Sequence, residues 1–128
     1  MLKNVGLFAS SLLLVCSVVG AAHADEPIRH IVAFKYAEDA SEADIQRLTD
    51  AFSGLQDTIP GIVSFEHGVN NSPEGLNKGF EHVYVMTFED EEARDTYLPH
   101  PEHKKFGALL EQLNIVEDAF VIDYTLKD

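Results

Sequence analysis

The sequence predicts an α+β domain in which four strands and two helices follow one another in the order βαββαβ, with the second helix interrupted. Three observations predict this fold class. Apolar and polar residues alternate in segments 28–36 and 81–89, and apolar residues recur at helical spacing in segment 41–59. Pro99 and Pro101 interrupt a second helical stretch. This order of elements is that of a ferredoxin-like unit.

The first half of the domain is predicted as strand, helix and strand. The strand over 28–36 has one face that carries Ile28, His30, Val32, Phe34 and Tyr36. Ser41 is the expected N-cap of the helix, and Ile-Pro-Gly at 59–61 ends it. The second strand covers 62–69, and a polar loop follows at 70–79. The apolar stripe of the helix consists of Ile45, Leu48, Phe52, Leu55 and Ile59.

The second half is predicted as strand, interrupted helix and strand. The strand at 81–89 has one face that carries His82, Tyr84, Met86 and Phe88. Asp90 is the expected N-cap of a short helix that ends near Leu98, and Pro101 is the expected first residue of the next helix. The last strand covers 115–125. The second helical segment has an apolar stripe of Phe106, Leu109, Leu110 and Leu113.

In this fold the helices cover only one face of the sheet. The opposite face is predicted to carry Ile31, Val83, Val85 and Val121. A contiguous patch of this kind is too apolar to remain in water. We therefore expect a homodimer in which the sheets of two copies pack face to face.

Residues 1–24 have the pattern of a secretory signal peptide. Lys3 supplies the positive start, an apolar stretch at 5–20 follows, and an Ala-x-Ala triplet ends at Ala24. The apolar stretch is too short and too weakly flanked for a stable membrane span. We expect cleavage after Ala24, a mature domain at 25–128 and a periplasmic or secreted location.

Composition and charge exclude several classes of function. The formal net charge is −13 over 128 residues, which disfavours nucleic acid and anionic membrane surfaces as partners after signal removal. The single cysteine, Cys16, lies in the leader, so the mature domain has no disulfide, thiolate nucleophile or cysteine metal ligand. A lipid-bearing Cys16 is the alternative to a cleaved leader. We predict neither a metal site nor a cofactor.

The segment 97–106, Tyr-Leu-Pro-His-Pro-Glu-His-Lys-Lys-Phe, is the candidate site. With Pro101 at the first helical position, His103 heads the apolar stripe and points into the domain, where the helix dipole disfavours imidazolium. His103 is then a candidate general base and Tyr97 a candidate donor to a developing oxyanion. A lone histidine of this kind is usually a satisfied core residue. Here His30 and His82 are expected on the same interior, and their convergence favours a pocket.

These segments resemble the stress-responsive A/B barrel, or Dabb, family over nearly all of the mature chain. The resemblance is carried by RHIVAFK at 29–35, IPGI at 59–62, EHVYVMTFE at 81–89, YLPHPEHKKFG at 97–107 and VIDY at 121–124. It implies a ferredoxin-like unit that pairs into a dimeric α/β barrel.

The best-understood enzyme of this family is a plant cyclase that needs no cofactor. The resemblance implies that Tyr97 and His103 are the catalytic pair. Phe52 stands where that enzyme has a pocket tyrosine. The predicted ligand-binding residues are His30, Val32, Phe34, Leu48, Phe52, His82, Tyr84, Phe106 and Gly107.

A plant member of the family looks to hold magnesium through backbone carbonyls, whose counterparts here lie near Ser53, Gln56 and Ile59. Backbone carbonyls leave no signal in a sequence, so the residues do not decide the point. Three functions remain open: a dimer that binds a small apolar or phenolic ligand, a cofactor-free lyase or cyclase that uses His103 and Tyr97, and a structural stress-associated oligomer without a ligand. The first is favoured slightly, because a fold does not fix a function.

Overall fold

The computed structural model describes residues 26–127, and the predicted signal peptide at 1–24 lies outside them. The elements are β1 (Ile28–Tyr36), α1 (Glu42–Thr58), β2 (Ile62–Val69), β3 (His82–Phe88), α2 (Glu91–Tyr97), α3 (Pro101–Leu113) and β4 (Val116–Thr125). The strands form one antiparallel sheet in the order β2-β3-β1-β4. The predicted ferredoxin-like α+β fold is confirmed. None of the helices within the described residues has the length and apolar character that crossing a bilayer requires.

Side chains cap the three helices where the sequence predicts that they begin. The Asp44 amide donates to Ser41 Oγ at 3.1 Å, and the Ala93 amide donates to Asp90 Oδ1 at 2.7 Å. His100 is the N-cap of α3, because its Nδ1 accepts a hydrogen bond from the Glu102 amide at 3.1 Å. These caps fix the directions in which α2 and α3 leave the turn that joins them.

Gly61 makes the turn after α1 fit beneath α2. Its φ angle is +89°, and a Cβ atom at this position would lie 2.6 Å from the Cβ of Ala93. The left-handed backbone and the close approach to α2 both require glycine. The predicted Ile-Pro-Gly stop therefore also sets the distance between the end of α1 and the start of α2.

The hydrophobic core lies between the sheet and the helices. The aromatic rings of Phe52 and Phe106 stack at 4.5 Å between centroids and join α1 to α3. Phe52 also packs against Phe34 of β1 and Tyr84 of β3. The largest fully buried side chains are Tyr84, Tyr97, Phe52, Phe88, Leu48, Ile59 and Met86.

The register of β4 corrects one predicted residue on the open face of the sheet. Val121 pairs with Val32, whose side chain lies on the helix side, whereas Ile122 pairs with Ile31 on the open side. Directly paired residues of antiparallel strands share a face. Placing Val121 on the open face was therefore wrong by one position. Val121 is nevertheless 56% exposed, because β4 is an edge strand that lies beyond the helices.

The open face itself is as apolar as predicted. Ile31 and Val85 pair on it, as do Ala33 and Val83. The open-side residues that β4 contributes are Phe120, Ile122 and Tyr124, each between 44% and 51% exposed. A protomer with this surface in water would expose a continuous apolar band across three strands.

Candidate functional site

Tyr97 and His103 lie against each other across the break between α2 and α3. Their ring centroids are 4.2 Å apart and the ring planes are tilted by 35°. Tyr97 is the last residue of α2 and is fully buried, whereas His103 stands in the first turn of α3 and is half-buried. The sequence prediction that these two side chains face one interior agrees with this geometry.

The hydrogen bond of His103 fixes its tautomer. Its Nδ1 lies 2.9 Å from the carbonyl oxygen of Leu98. Because a carbonyl oxygen only accepts, Nδ1 carries the hydrogen, and in the neutral ring Nε2 is then an unprotonated acceptor. A nitrogen in this state can take a proton.

The phenol of Tyr97 is buried in the interior. Among the described residues, Tyr97 Oη is a buried side-chain oxygen without a hydrogen bond. Such groups are rare in folded proteins, because a buried polar atom left unpaired costs about 1–3 kcal/mol. Burial, and then the nearby negative charge of Asp123, raise the pKa of Tyr97. The group is thus a neutral hydroxyl that can donate a hydrogen bond.

His30 contacts the same tyrosine from the sheet. Its ring lies edge-on to Tyr97, with 5.8 Å between the centroids, and it is buried. His30 Nδ1 lies 2.6 Å from Asp123 Oδ1, and Arg94 Nη1 lies 3.4 Å from Asp123 Oδ2. The structure therefore brings together His30, Tyr97 and His103, which is three of the four polar residues predicted for the pocket.

His82 is not part of this cluster, so the predicted convergence of all four residues is corrected. Along β3 it lies four residues from Met86, the pairing partner of His30, which places it about 13 Å away. Its ring instead packs edge-on against Tyr36 at 4.8 Å. Strand periodicity predicts which face a residue occupies but not which end of that face, and this explains the error.

The end of the core near His82 has its own polar network. The hydroxyls of Tyr36 and Tyr84 lie 2.7 Å apart, and Tyr84 Oη lies 2.9 Å from Thr49 Oγ1. Burial and the Tyr84 hydroxyl raise the pKa of Tyr36, and burial lowers that of His82. Tyr84, predicted to line the ligand pocket, thus has its hydroxyl satisfied within the protein.

The remaining predicted ligand-binding residues form the packed core of the protomer. They are all buried: Val32, Phe34, Leu48, Phe52 and Phe106. Gly107 is half-buried on α3, and a Cβ atom placed there would meet nothing within 4 Å. Of these residues, Phe106 reaches the polar cluster, with its ring 6.5 Å from that of His103, and Phe88 packs against Tyr97 at 4.9 Å.

Sequence reasoning missed Asp123 and Arg94. Asp123 is an acidic residue at a position of β4 that faces the helix side, since it pairs with His30. A register for β4 was needed to see this, and the sequence alone gave no such register. Arg94 also bonds to Glu91 and Asp95 on its own helix, and nothing in the spacing of the sequence indicates its contact with Asp123.

Within residues 26–127, no group of three or more His, Cys, Asp or Glu side chains is arranged to hold a metal ion. At the backbone positions considered for magnesium, the Ser53 carbonyl accepts a hydrogen bond from Gln56 Nε2 at 3.0 Å. Ile59 is the C-cap of α1, and its amide donates to the Leu55 carbonyl at 2.9 Å. Neither contact forms a set of converging oxygens.

Comparison with known proteins places the chain in a family. A family model described as Stress responsive A/B Barrel Domain matches residues 28–126. The stress-response A/B barrel domain-containing protein HS1 of Arabidopsis thaliana is 30% identical over 98 residues, which is 77% of this chain and 88% of that protein. Olivetolic acid cyclase of Cannabis sativa is 24% identical over 98 residues, 77% of this chain and 95% of that protein.

Solved structures agree with the fold. The hydroxynitrile lyase of Passiflora edulis superimposes with a TM-score of 0.73 at 25% identity, over 80% of this chain and 95% of that one. A dimeric ferredoxin-like protein from Jannaschia superimposes with a TM-score of 0.67 at 25% identity, over 78% of this chain and 99% of that one. The similar structures thus include both a lyase and a protein described as dimeric.

Proposed function

The chain belongs to the stress-responsive A/B barrel domain family, and from this premise we propose that it binds a small apolar or phenolic ligand whose oxygen atom docks beside Tyr97 and His103. The observation that carries the proposal is the buried hydroxyl of Tyr97, which has no hydrogen bond among the described residues, beside the ring of His103, whose Nε2 is unprotonated in the neutral form. A ligand oxygen that accepts from Tyr97 would remove the cost of the unpaired hydroxyl. The rings of Phe88 and Phe106, which contact Tyr97 and His103, suit an apolar or phenolic body.

Access to this site runs past His103. Tyr97 is fully buried, whereas His103 is half-buried and the preceding Leu98 is 48% exposed. A ligand therefore reaches Tyr97 when the segment between α2 and α3 shifts. In this connection, residues 98–100, Leu98 and Pro99 are exposed, and segments with few buried apolar groups are those that open locally.

The ligand proposal is tested with two probes that differ in one oxygen-bearing group. Benzaldehyde and toluene are titrated into the isotope-labelled protein and followed by NMR. We expect benzaldehyde to shift the signals of Tyr97 and His103, and Tyr97→Phe to weaken benzaldehyde binding about tenfold, the loss of one hydrogen bond. Toluene binding should be unaffected by this substitution. Equal effects on both probes, or no binding of either, contradict the proposal and leave a structural role.

A second candidate function is a cofactor-free lyase or cyclase reaction at the same site. The fixed tautomer of His103 favours it, because Nε2 can take a proton from a substrate while Tyr97 donates to the carbonyl oxygen that gains charge. Two similar proteins are named olivetolic acid cyclase and hydroxynitrile lyase. Release of benzaldehyde from mandelonitrile, measured by absorbance, tests this candidate. Activity that survives His103→Ala would contradict it.

We also propose that the protein is a homodimer through the open face of its sheet. The apolar band across β3, β1 and β4 supports this, as does the similarity to a protein described as dimeric. Two such faces would cover each other in the manner of packed sheets. The expected assembly closes the barrel that gives the family its name.

Export remains a proposal that rests on the sequence alone. The leader pattern at 1–24 predicts cleavage after Ala24 and a periplasmic or secreted mature protein. Intact-mass measurement of the expressed protein tests it. A mature chain that begins at Asp25 is the expected result, and a lipid-modified Cys16 as the first residue would overturn it.

A further inference from the structure

A chain of polar contacts links the surface of α2 to the buried ring of His30. Arg94 lies on α2 and is anchored by Glu91 Oε1 at 3.0 Å and Asp95 Oδ1 at 2.9 Å. It contacts Asp123 Oδ2, and the other oxygen of Asp123 contacts His30 Nδ1. A cleft of about 190 Å³ lies beside these polar contacts, and its lining includes Ile28, Arg94 and Asp123.

We infer that Asp123, steadied by Arg94, is a positioning residue that fixes the tautomer and orientation of His30 and so makes His30 a second acid–base group against Tyr97. The inference rests on the proposed ligand site. A carboxylate only accepts hydrogen bonds, so His30 Nδ1 carries the hydrogen and, in the neutral ring, Nε2 is unprotonated. This is the relation between carboxylate and imidazole that fixes the tautomer in catalytic triads.

The arrangement gives the site two imidazoles in the same tautomer, with the hydrogen on Nδ1. His103 is held through Nδ1 by a backbone carbonyl, and His30 is held through Nδ1 by a carboxylate. The two acceptors differ in charge: the Leu98 carbonyl is neutral, whereas the Asp123 carboxylate is an anion, and a hydrogen bond to an ionised acceptor is the stronger kind. A proton that leaves a ligand O–H for His30 Nε2 leaves its electron pair on the ligand oxygen, where Tyr97 donates. When the proton leaves a C–H next to a carbonyl, its electron pair forms a C=C bond and the π pair of the carbonyl moves to the oxygen. The same proton can return to the ligand.

Asp123 also acts on Tyr97 directly. Its negative charge opposes ionisation of the phenol and thereby helps to raise the pKa of Tyr97. The groups that face Tyr97 are thus Asp123 from β4, His30 from β1 and His103 from α3, with Arg94 behind Asp123. One carboxylate holds His30 ready to accept a proton and keeps Tyr97 as a hydrogen-bond donor.

The test reads the tautomer of each histidine, which does not depend on any ligand. Long-range proton–nitrogen NMR spectra are recorded on the full-length protein at about pH 8, where imidazole is neutral. The wild type should show His30 with the hydrogen on Nδ1. Asp123→Ala should move most of the population to the Nε2–H form, and Arg94→Gln should move part of it. His103 should keep its Nδ1–H form throughout.

Matched variants separate positioning from simple stability. Glu117→Gln removes another β4 carboxylate, which pairs with Lys35 at 3.0 Å on the surface, and it should leave His30 unchanged. Asp123→Glu restores the carboxylate and should recover the Nδ1–H form. Asp123→Asn keeps the side-chain shape and serves in place of Asp123→Ala if that variant does not fold. An unchanged His30 tautomer in Asp123→Ala or Asp123→Asn overturns the inference.

Benzaldehyde binding completes the test. We expect Asp123→Ala to weaken it severalfold and Glu117→Gln to leave it unaltered. If the tautomer shifts but benzaldehyde binding does not change, Asp123 is only a structural partner of a buried histidine, and the inference fails. If the wild type does not bind benzaldehyde, the proposed ligand site fails, while the tautomer measurement still decides whether Asp123 positions His30.

Discussion

The ring of His103 folds back over Tyr97, six residues earlier in the chain, with 4.2 Å between the ring centroids. The two prolines produce this contact. α2 ends at Tyr97 because the chain cannot continue as a helix through Pro99, and α3 begins again at Pro101. The break turns the chain so that the first turn of α3 covers the end of α2. The Pro-His-Pro sequence therefore has a structural result beyond ending a helix.

The first prediction contrasts the two most deeply buried tyrosines. Tyr97→Phe removes a hydroxyl that has no hydrogen bond to any residue of 26–127, so the free energy of unfolding should stay the same or rise by up to about 1 kcal/mol. Tyr84→Phe removes a hydroxyl that bonds to Tyr36 and Thr49. Because this leaves the buried Thr49 hydroxyl unpaired, it should cost about 1–3 kcal/mol.

Urea unfolding of the wild type and the two variants measures this difference. Both substitutions remove one oxygen atom and leave the ring, so the change in volume is matched. A loss of stability in Tyr97→Phe equal to that in Tyr84→Phe would mean that the Tyr97 hydroxyl is satisfied in the folded protein, against the basis of the proposed site.

The second prediction uses the two histidines of segment 97–106, His100 and His103. His103→Ala removes a hydrogen bond to the Leu98 carbonyl, and His100→Ala removes the N-cap of α3. Each should cost about 1 kcal/mol, since both groups are only half-buried. Only His103→Ala should abolish the NMR response to benzaldehyde. His100→Ser should restore stability, because serine is a good N-cap.

A different result would reassign His103. If His103→Ala costs on the order of 2–4 kcal/mol and the wild type shows no ligand-dependent stabilisation, the histidine fills the core and lines no pocket. Thermal unfolding with and without benzaldehyde provides the measurement. The His100→Ala variant shows how much of any loss comes from the end of the helix alone.

The sequence predicted the elements well because local signals agree along this chain. β1 and β2 have the predicted bounds, and Ser41, Asp90 and Pro101 start their helices as expected. Helix caps, prolines and the alternation of apolar and polar residues act over a few residues, so they can be recognised without the tertiary structure. The pairing of Tyr97 with His103 was predictable for the same reason, since one short segment contains both.

The predictions that were wrong or missing depend on strand register and on position along a strand. Val121 was assigned to the wrong face because alternation along β4 shows only which residues share a face, and the pairing of Val121 with Val32 is needed to decide which face that is. His82 was grouped with His30 because both lie on the helix-covered face of the sheet, but they lie at different ends of it. Asp123 was missed because its partner comes from pairing of β4 with β1, which joins residues 93 positions apart.

The third prediction concerns acid stability. Burial is the main cause that lowers the pKa of His82; the charge of Glu81 raises it, and His67 lowers it further. The unfolded chain therefore binds more protons at this residue than the folded one does. Stability from the neutral histidine is present above about pH 6.5 and is lost as the pH falls from there through the lower folded value.

Urea unfolding between about pH 7.5 and 5 tests the sign. The free energy of unfolding of the wild type should fall more steeply towards acid than that of His82→Asn, which cannot titrate. His67→Asn removes a neighbouring charge and should reduce the steepness only slightly. Parallel curves for wild type and His82→Asn would show that His82 titrates alike in both states.

The fourth prediction tests the dimer and the corrected face of β4 together. Ile122 lies on the open face beside Ile31, and Leu76 is an exposed leucine in the loop between β2 and β3. The wild type should sediment as one dimeric species at micromolar concentration. Ile122→Lys should shift it towards monomer, because a buried, unpaired charge in an apolar interface is strongly unfavourable. Leu76→Lys adds the same charge away from the sheet and should leave the dimer intact. A wild type that sediments as a folded monomer, or equal dissociation in both variants, would contradict pairing through the open face of the sheet.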